Sequence, residues 1–513
     1  MPPMRIFCRP LGRLVIAAVA FAATAADAAV YTITTLADDD TDNGNCTLRE
    51  ALLAASTDQT NDLCIGDIGA DTIVLDAVGT YSFTLGSILS AARQFTVRGD
   101  ADQPASAYVI DLGSVQRFLA VSFGSDLTLE NLTLTHGAGS PRGGALLVEN
   151  SDLTMRQVTI SDSDATHASA ADGGALAFLA QDAQSLDLEE VTFTGNRAAA
   201  VNQTFGGALY ATFQDGGSAR IVRARIAGNR LEATTGSFSR KGGGIFLQAF
   251  TDADDMEIEL RHLELTGNAI NGPSFSDGAG ASIYMSAAGT LLLEDALLED
   301  NELEVAAATN GSSALDLDVA ADSATIRRVR MVANPGDLGS DHALIQFSGP
   351  TQAVLSDLLV ANGSSNGLWL TTSGADCDVL AGNLTVAGHP QSGLVLIENG
   401  CPLRIENSIV FGNATSSGSN LDLFAGSPEV SAECLVGVDP LFLDGPNGDF
   451  RLDDGSPAED AGDQTFASIG PFDAAHATRV VGVDVDLGAL ERGAVFADGF
   501  EYGDVHAWTS TVP

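Results

Sequence analysis

Cysteine, histidine, carboxylate and lysine are the side chains in these 513 residues that could do chemistry, and their supply is uneven: 6 Cys, 7 His, 68 Asp or Glu and a single lysine, Lys241. Cys46, Cys64, Cys377, Cys401 and Cys434 follow an N-terminal leader that contains Cys8. In an export pathway where disulfides form, an odd five leaves at least one thiol unpaired. Cys377 begins Cys-Asp-Val-Leu-Ala-Gly-Asn383 and Cys401 begins Cys-Pro-Leu-Arg-Ile-Glu-Asn407, each six residues ahead of an asparagine and 24 residues apart. If 24 residues make one coil, the two stand on adjacent parallel strands about 4.8 Å apart, within reach of a disulfide. Two buried thiols are the alternative, and Cys434 competes for Cys401. Cys46 and Cys64 flank a short helical pattern and its following loop, and a bond between them pins that lid.

The carboxylates suggest one ion. Asp39-Asp-Thr-Asp-Asn-Gly44, with Glu50 beyond it, approaches the spacing of a calcium loop, although Thr41 replaces an acid. Glu50 is also claimed by a capping box with Thr47. Calcium is therefore weighed against a solvated acidic turn, here and at Thr251-Asp-Ala-Asp-Asp255. His136, His167, His262, His342, His389, His476 and His506 show no metal-ligand spacing and read as turn or surface residues. Asp453-Asp454 lies in a turn-like Leu-Asp-Asp-Gly-Ser-Pro. The formal charge of −44 and the lack of any basic block exclude a nucleic-acid binder that neutralises phosphates.

Positioning elements follow from periodicity. The chain is 45% hydrophobic with 55 Gly but only 2 Trp and 6 Tyr, which suits a long thin core of small apolar side chains. A Gly-Gly-Ala-Leu element at Gly143, Gly173 and Gly206 returns as Gly243-Gly244-Ile245 and, degraded, as Gly278-Ala-Gly280. A second element places an apolar strand before Gly-Asn or an equivalent: Phe193-Thr-Gly-Asn196, Ile226-Ala-Gly-Asn229, Leu265-Thr-Gly-Asn268, Leu298-Glu-Asp-Asn301, Met331-Val-Ala-Asn334, Val360-Ala-Asn362 and Phe411-Gly-Asn413, with His389 standing between the last two. Strands such as Leu127-Thr-Leu-Glu-Asn-Leu-Thr-Leu134 alternate apolar and polar residues with one offset at a bend. Units this small bury a core only by stacking, which predicts an all-β, right-handed parallel β-helix; an antiparallel sandwich is the alternative. The recurring asparagines predict an amide ladder. Thr133 and Thr135 suggest an ice-binding face, an idea set aside because such pairs do not repeat coil after coil.

Five segments result. Residues 1–28 read as a signal peptide, with Arg5, Arg9 and Arg13 before the apolar run Leu14–Ala23 and an Ala26-Asp-Ala28 cleavage motif. Cleavage leaves 21 basic and 67 acidic residues, a net of −46, and no apolar run long enough to span a membrane. Residues 29–68 form a cap whose helix begins at Thr47, 69–436 form the solenoid, 437–492 close it, and 493–513 form a sorting tail.

The motifs carry a resemblance. Tyr31–Leu36, Cys46-Thr-Leu-Arg-Glu-Ala51 and Gly69-Ala-Asp-Thr-Ile-Val74 resemble the CSLREA domain of secreted bacterial proteins, with Thr47 in place of Ser. The Gly-Gly-Ala and Phe-x-x-Asn elements are similar to polymorphic outer-membrane protein repeats. Val438-Asp-Pro-Leu-Phe442, Gly455-Ser-Pro-Ala-Glu-Asp-Ala-Gly462 and Asp486-Leu-Gly-Ala-Leu-Glu491 resemble the closing segment of choice-of-anchor Q type proteins. The resemblance implies a secreted or cell-surface β-helix, on the Gram-negative outer surface or in the periplasm, usually without assigned activity. Some parallel β-helices cleave acidic polysaccharides, but the Gly-His-Gly and Arg-x-Lys elements of polygalacturonase-like sites are absent from the sequence. The expectation is a non-enzymatic adhesion or binding protein whose partner is an extracellular glycan or cell-surface protein. The alternative is a polysaccharide lyase or glycoside hydrolase-like enzyme acting along the helix flank.

Overall fold

The computed structural model describes residues 28–493 apart from 234–238, 251–255, 273–277, 306–310, 337–339, 350, 375, 415–422, 426–428, 432 and 467–469. The leader, the tail beyond Gly493, His506 and the acidic loop 251–255 lie outside the described residues. The chain winds as a parallel β-helix: a 20-stranded and a 12-stranded parallel sheet run its length, joined in the middle coils by six- and four-stranded sheets. Pairing is coil on coil. Leu127, Leu153 and Leu186 are successive partners in one sheet, and Leu146, Leu176, Leu209 and Ile245 in the other. These residues are fully buried in one continuous core, because alternate residues of a strand face the same side.

Each long strand of the larger sheet bends at its centre. Asn131, Gln157, Glu190, Arg223, His262, Asp295, Arg328 and Asp357 all take positive φ there, and the offset in the alternation at Asn131 is this bend. Two residues then make the next corner in the middle coils, as Gly195-Asn196 and Gly228-Asn229 do. Asn196, Asn229, Asn268, Asn301 and Asn334 stack, each Nδ2 donating to the next Oδ1 at 2.8–3.0 Å. Each Nδ2 also reaches a carbonyl of the preceding coil, as Asn229 does at Phe193 O, 3.0 Å.

Two alignments read from the sequence shift. The corner residue after Asn334 is Gly363, not Asn362, which sits one place earlier at φ 54°, in line with Gly195, Gly228, Gly267, Asp300 and Ala333 of the preceding coils. In the Gly-Gly column, Leu209 pairs with Ile245 and Ile245 with Ile283. Gly242-Gly243 and Gly280-Ala281 are therefore the equivalents of Gly206-Gly207. A Cβ on Gly207 would collide with the Gly243 carbonyl of the next coil, so the glycines allow close coil approach. They mark the coils that make the extra strands of the two small sheets. After Ser323–Val332 the next strand among the described residues is Asp341–Ser348, and from there the coils shorten.

Both ends are covered. Leu48–Thr57 is a helix with the Thr47–Glu50 capping box formed, and Leu48, Ala51, Leu52 and Ala55 bury against the first coil. The C-terminal segment extends beyond the last coil. From Phe442 onward it turns back along the outer face of the larger sheet as a strap: Phe450, Ala474, Ala489 and Leu490 pack on Val332, Leu359, Ala361 and Ala387. Ala489 N donates to Thr385 Oγ1 at 2.8 Å, and Asp463 exchanges hydrogen bonds with the Asn407 amide.

Candidate functional site

The bend column is also where the scarce arginines gather. Arg98, Glu130, Arg156 and Glu189 are register partners on four successive strands. A groove of about 340 Å³ opens beside them, lined also by Asn131, Gln157 and Glu190. Arg156 contacts Asp187 at 2.8 Å and also Glu189. Arg220 reaches the same two carboxylates at 2.7 and 3.1 Å, and Arg223 pairs with Glu189 and Glu190. Burial alone would raise the Glu189 carboxyl; hydrogen bonds and charge from Arg220, with Arg223 and Arg156, hold it below its ordinary value. At the open end, Arg98 is exposed, and among the described residues neither it nor Glu130 forms an ion pair. The groove thus offers an unclaimed guanidinium donor and an unclaimed carboxylate, while the Asn131 and Gln157 amides beside them already donate to Asp100 O, Gln103 O and Glu190.

Further along, the same column is occupied by the strap. His476 Nε2 lies 3.3 Å from Asp295, which His262 and Arg328 also contact. Arg479, 1% exposed, faces Asp357 at 3.6 Å. Burial raises Asp357 to about 6 against the pull of Arg479, and raises Glu491, with a push from Asp486, to about 7. The carboxyls that burial raises to about 6 or 7, Asp295, Asp341, Asp357 and Glu491, all lie outside the groove, and the Glu189 carboxylate in the open groove is held ionised. A general acid needs the opposite placement.

The cysteines lie where bonds form: Cys46 and Cys64 are bonded with Cα atoms 5.1 Å apart, and Cys377 and Cys401 with Cα atoms 5.2 Å apart. Cys434 is a free thiol near Ile405 O. The acidic turn at 39–44 points its backbone inward: the N–H groups of Asn43, Gly44 and Asn45 donate to Asp62 Oδ2 at 2.9, 2.7 and 3.1 Å. Glu50 Oε2 accepts from Thr47 N at 2.8 Å. A loop whose N–H groups converge on a carboxylate is an anion nest, and no His, Cys, Asp and Glu cluster among the described residues could hold a metal. Asp453 and Asp454 lie in an exposed turn, and Asp454 pairs with Arg492.

Two readings are corrected, those of the pair His342 and His389 and of the threonines, whereas His262 and His476 are part-exposed residues at bends as expected. His342 and His389 are not surface residues: both are 1% exposed, their rings 5.2 Å apart. His342 fills the gap left by Gly363, where a Cβ would come within 2.6 Å of its Nδ1, and its Nε2 meets Asn334 Nδ2 at 2.8 Å. His262 and His476, 214 residues apart in sequence, share Asp295. The threonines do repeat, Thr133 and Thr135 pairing with Thr159 and Ser161, and Thr159 with Thr192. They form no free flat face, because Ala105 of an overlying loop accepts a hydrogen bond from Thr133. Lys241 lies 4.2 Å over the Tyr284 ring, capping a stack of Tyr210, Phe246 and Tyr284.

Among the described residues no helix is long and apolar enough to cross a membrane. Compared with known proteins, the chain matches no family model and no curated sequence.

Proposed function

We propose that the protein is exported by its N-terminal leader and works without catalysis, presenting the flank groove at Arg98–Glu190 to an extracellular glycan or a cell-surface protein. The observation that carries this reading is the division along one column between an open groove, with Glu189 held ionised, and a covered stretch. The open part offers Arg98 and Glu130, which form no ion pair among the described residues, and the carboxyls raised toward neutrality lie elsewhere. Two disulfides suit an oxidising compartment. The CSLREA, outer-membrane-repeat and choice-of-anchor resemblances agree with a surface or secreted role.

The test is a glycan panel and a surface-protein array probed with the purified chain, scoring both binding and bond cleavage. Binding that weakens about tenfold in Arg98→Ala, the loss of about one charge-assisted hydrogen bond, supports the reading. Turnover of any polysaccharide overturns it in favour of an enzyme, and a ligand indifferent to Arg98 moves the site elsewhere.

A further inference from the structure

The first described residues meet a buried acid that has no counter-charge among the described residues. Ala29 lies in register with Asp71, since Val30 pairs with Thr72 in the parallel ladder, and Thr72 N donates to Ala29 O at 2.8 Å. Ala29 N donates to Asp71 Oδ1 at 2.8 Å, and Tyr31 Oη lies 3.4 Å from Oδ2. The Asp71 residue is 1% exposed. Its titratable surroundings are Tyr31 and the acids Asp58 and Asp67. Among the described residues no arginine, lysine or histidine pairs with it. Desolvation, with the Asp58 charge behind it, therefore raises its carboxyl. A buried carboxylate held only by neutral donors is costly, and the nearer of its two donors, at 2.8 Å against 3.4 Å for the Tyr31 hydroxyl, is the nitrogen of the residue that follows the Ala26-Asp-Ala28 motif.

We propose that removal of the leader supplies the missing cation: the α-ammonium of Ala29 becomes the counter-ion of Asp71 and fastens the first strand to the second coil. This rests on the export reading above, which places cleavage after Ala28. In that step water adds across the Ala28–Ala29 peptide bond. The Ala28 carbonyl carbon takes the hydroxyl and leaves with the leader as a carboxylate, and the Ala29 nitrogen takes up protons to become an ammonium. An uncleaved chain keeps a neutral amide at the same place. Processing and completion of the N-terminal cap are then one event, and a chain that retains its leader folds with an uncompensated charge beneath Val30–Ile33.

Intact mass and N-terminal sequencing of the exported protein test the export reading by themselves; a chain that starts anywhere but Ala29 sinks that reading. The ion pair is tested separately on protein released from a removable fusion, so that it starts at Ala29 regardless of export. Its only primary amines are the new α-amino group and Lys241, which serves as internal reference. At pH 7.5 the Ala29 amine is expected to acylate about tenfold more slowly than in Asp71→Asn, the result of raising its pKa by about one unit. A chain that retains Ala28 as one extra residue covers the case in which Asp71→Asn does not fold. It is expected to melt lower than the Ala29 chain at pH 7, and the gap is expected to close by pH 10.5, where the amine is neutral. Equal acylation rates, or a gap that is absent at pH 7 or unchanged at pH 10.5, overturn the proposal.

Discussion

Asn229 shows what one side chain does in this architecture. Its Oδ1 accepts from both the backbone N and Nδ2 of Asn196, and its Nδ2 donates to Phe193 O and Asn268 Oδ1. All of these groups are buried, so Asn229→Ala strands donors and an acceptor that water cannot reach. The expected cost is about 3 kcal/mol, read by urea unfolding, and a change below about 0.5 kcal/mol would show that the corner relaxes without its ladder. His342 and His389 occupy the same row in a different way. Burial lowers both imidazoles, His389 to about 4, and His342 is lowered further by its neighbour's charge. The fold therefore keeps them neutral while the unfolded chain binds protons below about 6.5. Stability is fully present above that value and falls as pH drops toward 4. His389→Asn is expected to remove about 2.4 kcal/mol of acid sensitivity between pH 7 and pH 4.5. Unfolding curves of wild type and variant that shift in parallel with pH would sink this account.

At the scale of elements, the strap is the part whose seating is least complete. Both Asp357 oxygens and two Arg479 nitrogens lack hydrogen-bond partners, although the pair is buried. Arg479→Ala leaves Asp357 without its counter-charge and is expected to cost about 3–5 kcal/mol. The change should be visible as faster amide exchange in 385–411 and in the strap itself, with Leu127–Leu134 unaffected. Exchange that rises uniformly along the solenoid would mean that the strap is not a separate unit. Its apolar contacts explain the outward residues Leu359, Ala361 and Ala387, which occupy the solvent-facing side of the same strands whose earlier coils carry threonine and serine.

For the whole molecule, the formal charge of −44 opposes compaction at long range, and the arginines of the bend column act at contact range. Raising salt from 0.01 to 0.15 M shortens the screening length from about 30 to about 8 Å. This weakens distant repulsion more than pairs near 3 Å. The melting temperature is expected to rise over that interval; a fall would mean that the ion-pair column contributes more than self-repulsion costs.

What was legible in the sequence was whatever repeats. Alternation, the Gly-Gly element, the asparagine corner and the capping box at Thr47 act through the backbone within one coil, so a linear reading finds them. That reading slipped by a residue at Asn362 and Gly243, where one substitution imitates its neighbour. The groove was not visible, because Arg98, Glu130, Arg156 and Glu189 are separated by 26 to 33 residues and meet only once coil length is known. The histidine roles were missed for a related reason: His342 is buried because Gly363, in the next coil, vacates its space. The sequence by itself determined a stacked parallel solenoid, since no lone cassette can bury its apolar face. Tertiary structure alone decided which flank stays open, because burial and counter-charge depend on where a returning C-terminal segment comes to rest, and no local pattern encodes that distance.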